Sequence, residues 1–260
     1  MTTRPAAVAG LFYQGAPQRL QAEVETLLAG AQAPGALRPR ALIVPHAGYR
    51  YSGTIAADAY RQLTPFAASY RQVVVLGPAH RVYVDGVAAP SVDSFTTPLG
   101  EVPLAAGLLR RALQHPVVTC SDEAHRHEHS LEVHLPFLQA VLADFTVLPL
   151  LVGRCPPETV AFLLDDLPIG PDTLIVISTD LSHFHDYRTA RAMDERTCQR
   201  ILDGATDLRG EEACGAAPVN GFLASQLGRS MQCELLSRCN SGDSSGDHSR
   251  VVGYAAFTLH

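Results

Sequence analysis

Three runs of β-branched residues, each closing on a turn and a histidine, set the strongest limit on how this chain folds. They are Ala41-Leu-Ile-Val-Pro-His46, Val73-Val-Val-Leu-Gly-Pro-Ala-His80 and Leu174-Ile-Val-Ile-Ser-Thr-Asp-Leu-Ser-His183. Strands buried on both faces of a parallel sheet have this near-continuous Val/Ile character. In open α/β sheets, ligands sit in the crevice beyond the carboxyl ends of the strands. Histidines delivered by three such strands point to one rim, so a metal or acid–base centre is the leading expectation.

Helical patterns lie between the runs. Helices are expected over 17–28, 53–63, 158–165, 187–202 and 218–227, with helical spacing over 103–113 and a further helix opening at Pro136. Strands are expected over 73–76, 87–89, 145–152 and 174–177, with a closing pair at 233–236 and 251–259. Such alternation predicts an α/β fold with a largely parallel central sheet and helices on both faces. No linker or internal repeat divides the 260 residues, and that length buries one sizeable core, so 1–260 is expected to be a single domain.

Composition removes several function classes. The chain is 47% hydrophobic and 18% charged, as globular proteins are, and its net charge of −6 comes without any basic stripe. Nucleic-acid binding through phosphate neutralisation is therefore not expected. No apolar run approaches the ~20 residues of a membrane span, and the start lacks a secretory pattern, so no membrane association and a cytoplasmic location are expected. All 20 basic residues are arginine, which excludes Schiff-base chemistry on an enzyme lysine and a P-loop of the usual kind. The six cysteines form no C-x-x-C pair, against a zinc ribbon or thioredoxin-like motif.

Five segments have the residue types that carry chemistry. In 45–53, His46 stands at a strand end, and Tyr49 and Tyr51 either line a pocket or pack. Gly77-Pro-Ala-His80 repeats that layout. In 178–186, Asp180 either orients His183, as carboxylates do for ligating imidazoles, or forms a turn. The densest titratable cluster is His125-Arg-His-Glu-His-Ser-Leu-Glu-Val-His134. It fails the zinc-protease patterns, which need histidine at Leu131 or Val133. His129 and Glu132 are its expected functional members, three apart on one helical turn if Leu135-Pro136 permits. Last, the polar loop Cys239–His248 either makes tight turns or closes a site with an oxygen or sulfur ligand. Ala213-Cys-Gly-Ala-Ala-Pro218 reads as a helix approach or a pocket wall.

Taken together, these segments resemble the Memo family almost end to end. The matching stretches are Arg4-Pro-Ala-Ala-Val-Ala-Gly-Leu-Phe-Tyr13, Pro45-His-Ala-Gly-Tyr49, Gly77-Pro-Ala-His80, Glu128-His-Ser-Leu-Glu-Val133, Ser178-Thr-Asp-Leu-Ser-His183, Ala213-Cys-Gly215, Gly246-Asp247 and Val251-Val-Gly-Tyr-Ala-Ala256. That family is similar in fold to class III extradiol ring-cleaving dioxygenases, which hold non-haem Fe(II) and open catechol rings. The resemblance implies His46 and His80 as metal ligands, His183 as ligand or acid–base catalyst, and His129 as a second catalytic histidine. Tyr49, Glu132 and Asp180 are the expected substrate-binding residues. The metal is expected to be divalent, Fe(II) first, with Zn or Cu as alternatives. The animal relative places a cysteine in its C-terminal loop, and an ungapped count back from Tyr254 puts that position on Ser244. A third ligand is accordingly expected from His183, Cys239, Asp243, Ser244 or Asp247. The implied activity is that of a metal-dependent oxidoreductase on a small aromatic or phenolic substrate. A metal-assisted hydrolase and a non-catalytic adaptor stand as alternatives. Bacterial relatives are grouped with a radical-SAM protein and a companion domain in the AmmeMemoRadiSam set, which are the implied partners.

Overall fold

The computed structural model describes residues 2–260. Its first half runs β1 (Thr3–Arg4), α1 (Pro17–Gly30), β2 (Ala41–Val44), α2 (Tyr49–Arg61), β3 (Gln72–Pro78), β4 (Val87–Ala89), β5 (Ser94–Thr97), β6 (Gly100–Pro103), α3 (Ala106–Ala112), β7 (Val118–Cys120) and α4 (Asp122–Arg126). The second half runs α5 (Leu135–Val141), β8 (Thr146–Val152), α6 (Pro157–Asp166), β9 (Thr173–Ser178), β10 (His183–His185), α7 (Tyr187–Leu202), α8 (Ala216–Ala224), α9 (Gln226–Arg229), β11 (Cys233–Asn240), α10 (Ser241–Ser245) and β12 (Val251–Leu259).

The main sheet has the order β10-β12-β2-β9-β3-β8-β4-β7, with β11 paired to β12. Its middle, β2-β9-β3-β8, is parallel. The margins are not: β12 runs antiparallel to β2 and β11, and β4 runs antiparallel to β8. Only α10 and a short loop join β11 to β12, too little chain for the crossover a parallel pair needs. The α/β class is as expected, with a parallel centre and antiparallel flanks.

The β-branched runs are apolar throughout because both faces are covered. Leu42, Val44, Val73, Val75, Leu174 and Val176 pack on the side that holds the apolar residues of α1, α2 and α5. Ala41, Ile43, Val74, Leu76, Ile175 and Ile177 pack on the opposite side, with Val160, Leu163, Cys198, Ile201 and Phe222. Burying each Val, Leu or Ile contributes about 1.5–3 kcal/mol, which makes this two-sided core the main stabilising feature.

The expected 218–227 helix is broken in two at Ser225. That residue is extended (ψ 159°), and its hydroxyl accepts the Gly228 N–H that opens α9. A small second sheet, β1-β5-β6, has no periodic signature in the sequence and brings the N-terminal segment onto the body. Among the described residues no helix is long and apolar enough to cross a membrane.

Strand register levels the carboxyl ends of the central strands. Val44 pairs with Ser178, and Leu76 with Ile177, so β2, β9 and β3 end nearly together. The residues after each strand emerge on one rim.

Candidate metal centre

His46 follows β2 across Pro45 and is 2% exposed. Its Nδ1 lies 2.6 Å from Ser178 Oγ at the end of β9. The Ser178 hydroxyl donates to the Ser130 carbonyl at 2.6 Å. A carbonyl has no proton to give, so the hydroxyl proton lies on that side and the serine oxygen accepts from His46 Nδ1–H. The Nε2 lone pair is therefore bare. It faces Cys214 Sγ at 3.3 Å. Burial and the neighbouring imidazoles hold His46 well below the ordinary histidine range, so the ring is neutral near pH 7.

His80 follows β3 and is oriented by a carboxylate. Its Nδ1–H donates to Glu128 Oε1 at 3.0 Å and its backbone N–H to Oε2 at 2.6 Å. The same carboxylate accepts the N–H groups of His129 and Ser130. Burial opposes the charge, but the His80 side chain and the Ser130 and His80 N–H groups outweigh it and hold Glu128 down to about 2. The Nδ1–H tautomer leaves His80 Nε2 bare as well. The rings of His46 and His80 meet edge-on with centroids 5.1 Å apart.

Cys214 supplies the third donor. His46, His80 and Cys214 each offer an atom within 4.8 Å of the others. The segment before α8 carries Cys214 onto the end of β9: Cys214 N–H donates to the Asp180 carbonyl, and Gly215 N–H to Thr179 Oγ1 at 2.9 Å. Gly215 is required for that approach, since a Cβ there would lie 2.3 Å from the Ser178 carbonyl oxygen. Burial, then the Asp180 carboxylate, pushes the thiol up to about 12. A bound cation reverses that balance by ionising the sulfur. Two bare imidazole nitrogens and an ionisable thiol fit a divalent metal of the zinc, iron or copper type.

Asp180 and His183 stand beside this set, both within the same distance limit of Cys214. Asp180 accepts the His46 N–H at 2.8 Å, and burial lifts its carboxyl to about 7. His183 is half-buried. Its Nδ1–H donates to the Leu181 carbonyl at 2.8 Å, which leaves Nε2 bare, and burial lowers its pKa. The β10–β12 register shifts between His183 and His185, at Phe184, whose φ is 64°. His129 stacks on His80 (4.8 Å) and packs on Phe12 (4.7 Å), and burial lowers it to about 4. Its grouping with His80 and Glu128 is not a second metal site, because Glu128 already accepts four N–H groups.

The other expected site residues lie elsewhere. Tyr49 is buried among Tyr13 and Phe137 and donates to the Val133 carbonyl. Glu132 is fully buried under the N-terminal segment, accepting from Arg4, Tyr13, Ala7 N–H and Val8 N–H. His129 and Glu132 do share a turn, closed by the Val133 N–H on the His129 carbonyl at 3.2 Å, which leads through a 3-10 turn over Glu132–His134 into α5. Only His129 packs on His80, however, while Glu132 is held by the N-terminal segment. In the C-terminal region, Cys239 lies in β11 opposite Tyr254. Asp243 accepts from Tyr187 and Asn240, Ser244 is exposed and donates to Ser241, and Asp247 accepts from Ser249. Among the described residues, none of Cys239, Asp243 and Asp247 groups with His46 and His80. One surface depression of about 500 Å³, lined by Arg71, Glu101, Gln139 and Phe145 among others, lies at the opposite end of the sheet and carries neither histidine nor cysteine.

Cys214 was the donor that sequence reasoning passed over. The signal lies in the Ala213-Cys-Gly215 stretch, whereas the ungapped count from Tyr254 points to the C-terminal loop.

Fold and site define an α/β protein with a histidine–cysteine cluster able to hold a metal at the carboxyl rim of its sheet. The chain belongs to the Memo-like protein family, whose model matches residues 4–258. It is 33% identical to a MEMO1 family protein of Methanothermobacter thermautotrophicus, across 98% of this chain and 99% of that one. It is 34% identical to one from Aquifex aeolicus, across 98% of each. A Methanosarcina mazei relative matches at 36% over the full length of both. Among solved structures, an uncharacterised protein of Escherichia coli K12 shares the fold, with a TM-score of 0.54 at 13% identity, covering 85% of this chain and 100% of that one.

Proposed function

We propose that this protein is a metal-dependent oxidoreductase of the dioxygenase type, holding non-haem Fe(II) and acting with O2 on a small aromatic or phenolic substrate. The observation that carries this reading is the convergence of two bare Nε2 atoms, His46 and His80, with Cys214. When bound, the metal supplies a Lewis acid with redox capacity. His183 is the proton acceptor for a phenolic hydroxyl: it is neutral near pH 7, and its Nε2 is bare. Asp180 fixes the His46 backbone, and Glu128 and Ser178 fix the two rings. His129 and the Phe12 ring close one wall and limit water.

Cys214 favours a second reading. A thiolate beside two imidazoles also suits zinc, and metal-assisted hydrolysis would use His183 in the same way. Anaerobic reconstitution with Fe(II), followed by O2 uptake in the presence of catechols, separates the two. The expected result is uptake by the wild type and none by His46→Ala. Uptake that survives His46→Ala refutes a catalytic metal at this site, whereas oxygen-independent turnover with zinc favours hydrolysis. Family resemblance supports a radical-SAM protein and its companion as partners, which co-purification tests.

A further inference from the structure

One three-residue segment braces both histidines. Glu128 takes the Nδ1–H of His80 directly. Two residues on, the Ser130 carbonyl takes the Ser178 hydroxyl proton, and this makes the Ser178 oxygen the acceptor for His46 Nδ1–H. The segment is itself fixed. Glu128 Oε1 accepts the Ser130 N–H at 3.0 Å, and Ser130 Oγ donates to the Pro78 carbonyl at the end of β3 at 2.8 Å. Glu128 is 2% exposed, and Ser130 and Ser178 are 0% exposed, so water does not compete for these bonds.

We propose that Glu128, Ser130 and Ser178 are positioning residues that lock His46 and His80 in the Nδ1–H tautomer, so that both present a bare Nε2 before any metal arrives. The alternative tautomer of His46 has a ready partner: an Nε2–H would point at Cys214 Sγ, 3.3 Å away. Without the brace that form becomes accessible, and in it the lone pair needed for a metal is occupied by a proton. The carboxylate and the hydroxyl relay thus do one task by two routes, and loss of either is felt at a different ring. Orienting partners of this kind typically change metal affinity by about 10–100-fold.

The inference rests on the proposed metal centre only in its second readout. The first is the tautomeric state of each imidazole, read from ring ¹⁵N chemical shifts of the metal-free protein, with signals assigned through His46→Ala and His80→Ala. In the wild type both rings are expected as Nδ1–H. Ser178→Ala is expected to move His46 to Nε2–H and leave His80 unchanged. Glu128→Gln is expected to take His80 out of the pure Nδ1–H form. The second readout is Zn(II) affinity by competition with a chelating dye, expected to fall about 10–100-fold in each variant. A wild-type ring found as Nε2–H overturns the proposal, even if no variant folds. So does a folded Ser178→Ala protein that keeps His46 as Nδ1–H. Expected tautomer changes with unchanged zinc affinity would support the brace and count against the metal reading alone.

Discussion

Glu128 and Glu132 are one helical turn apart in sequence, both buried, and both surrounded by donors, yet they act on different parts of the molecule. Glu128 faces the rim, where it orients His80 and ties down the segment 128–130. Glu132 faces away, where it gathers Arg4, Tyr13 and two backbone N–H groups and fastens the N-terminal segment. The difference lies in the partners. Glu132 is matched with a guanidinium whose other two nitrogens donate to the His125 and Glu128 carbonyls, a buried ion pair. Glu128 accepts from three backbone N–H groups and one imidazole, and that imidazole is a candidate ligand. A buried carboxylate is thus structural or site-forming according to what its donors do next.

The sharpest way to break this contrast is Glu132→Ala. It leaves Arg4 buried without its partner, and removing one member of a buried pair costs about 3–5 kcal/mol. Urea unfolding should show that loss, while metal affinity of the folded fraction stays at the wild-type level. If Glu132→Ala and Glu128→Gln lose metal alike, the division of roles is wrong.

Acid should act on both sides of the contrast next, through His125 beside Arg4 and through Glu128 at the rim. Burial holds His125 at about 4 against 6.5 for the free group. Between those values the unfolded chain carries the extra proton, so stability is full above pH 6.5 and falls by roughly 3 kcal/mol as pH drops through 4. Glu128, at about 2 against 4.5, adds a second loss as pH falls from 4.5 through 2. The chain has no tryptophan, so far-UV circular dichroism under urea is the appropriate probe. Stability that is flat from pH 7 to about 4 would contradict the buried neutral state of His125.

Smaller effects refine the structural half. Tyr13→Phe removes one hydroxyl donor to Glu132 and should cost about 1.5–3 kcal/mol, the worth of a hydrogen bond to a charged group. Leu11→Ser, at a residue 80% exposed in the same segment, should stay within about 0.5 kcal/mol. A large effect at Leu11 together with none at Tyr13 would move the anchor from Glu132 to the segment's surface.

Much of the fold was legible, because strand burial writes itself into composition. The runs ending at Val44, Leu76 and Ile177 are apolar on both faces and could only be central strands, and strand ends give histidine positions directly. The antiparallel margins were less visible, since β10 and β4 are too short to have a period. Cys214 was hidden for another reason. It lies in a stretch of small residues whose pattern states only that close packing is possible, and it reaches His46 because α8 docks its approach onto the end of β9. Glu132 shows the converse: its spacing of three from His129 does put both on one turn, yet His129 packs on His80 while Glu132 is taken up by Arg4 and Tyr13, partners from a segment more than a hundred residues away in sequence.

The claim on which the rest depends is that Cys214, and no donor of the C-terminal loop, completes the His46–His80 set. X-ray absorption at the zinc edge of the Zn(II)-loaded protein tests it directly. The expected spectrum has one sulfur at about 2.3 Å with nitrogens at about 2.0–2.1 Å, and the sulfur disappears in Cys214→Ser. A wild-type spectrum without sulfur, or a sulfur shell that survives Cys214→Ser, would contradict it.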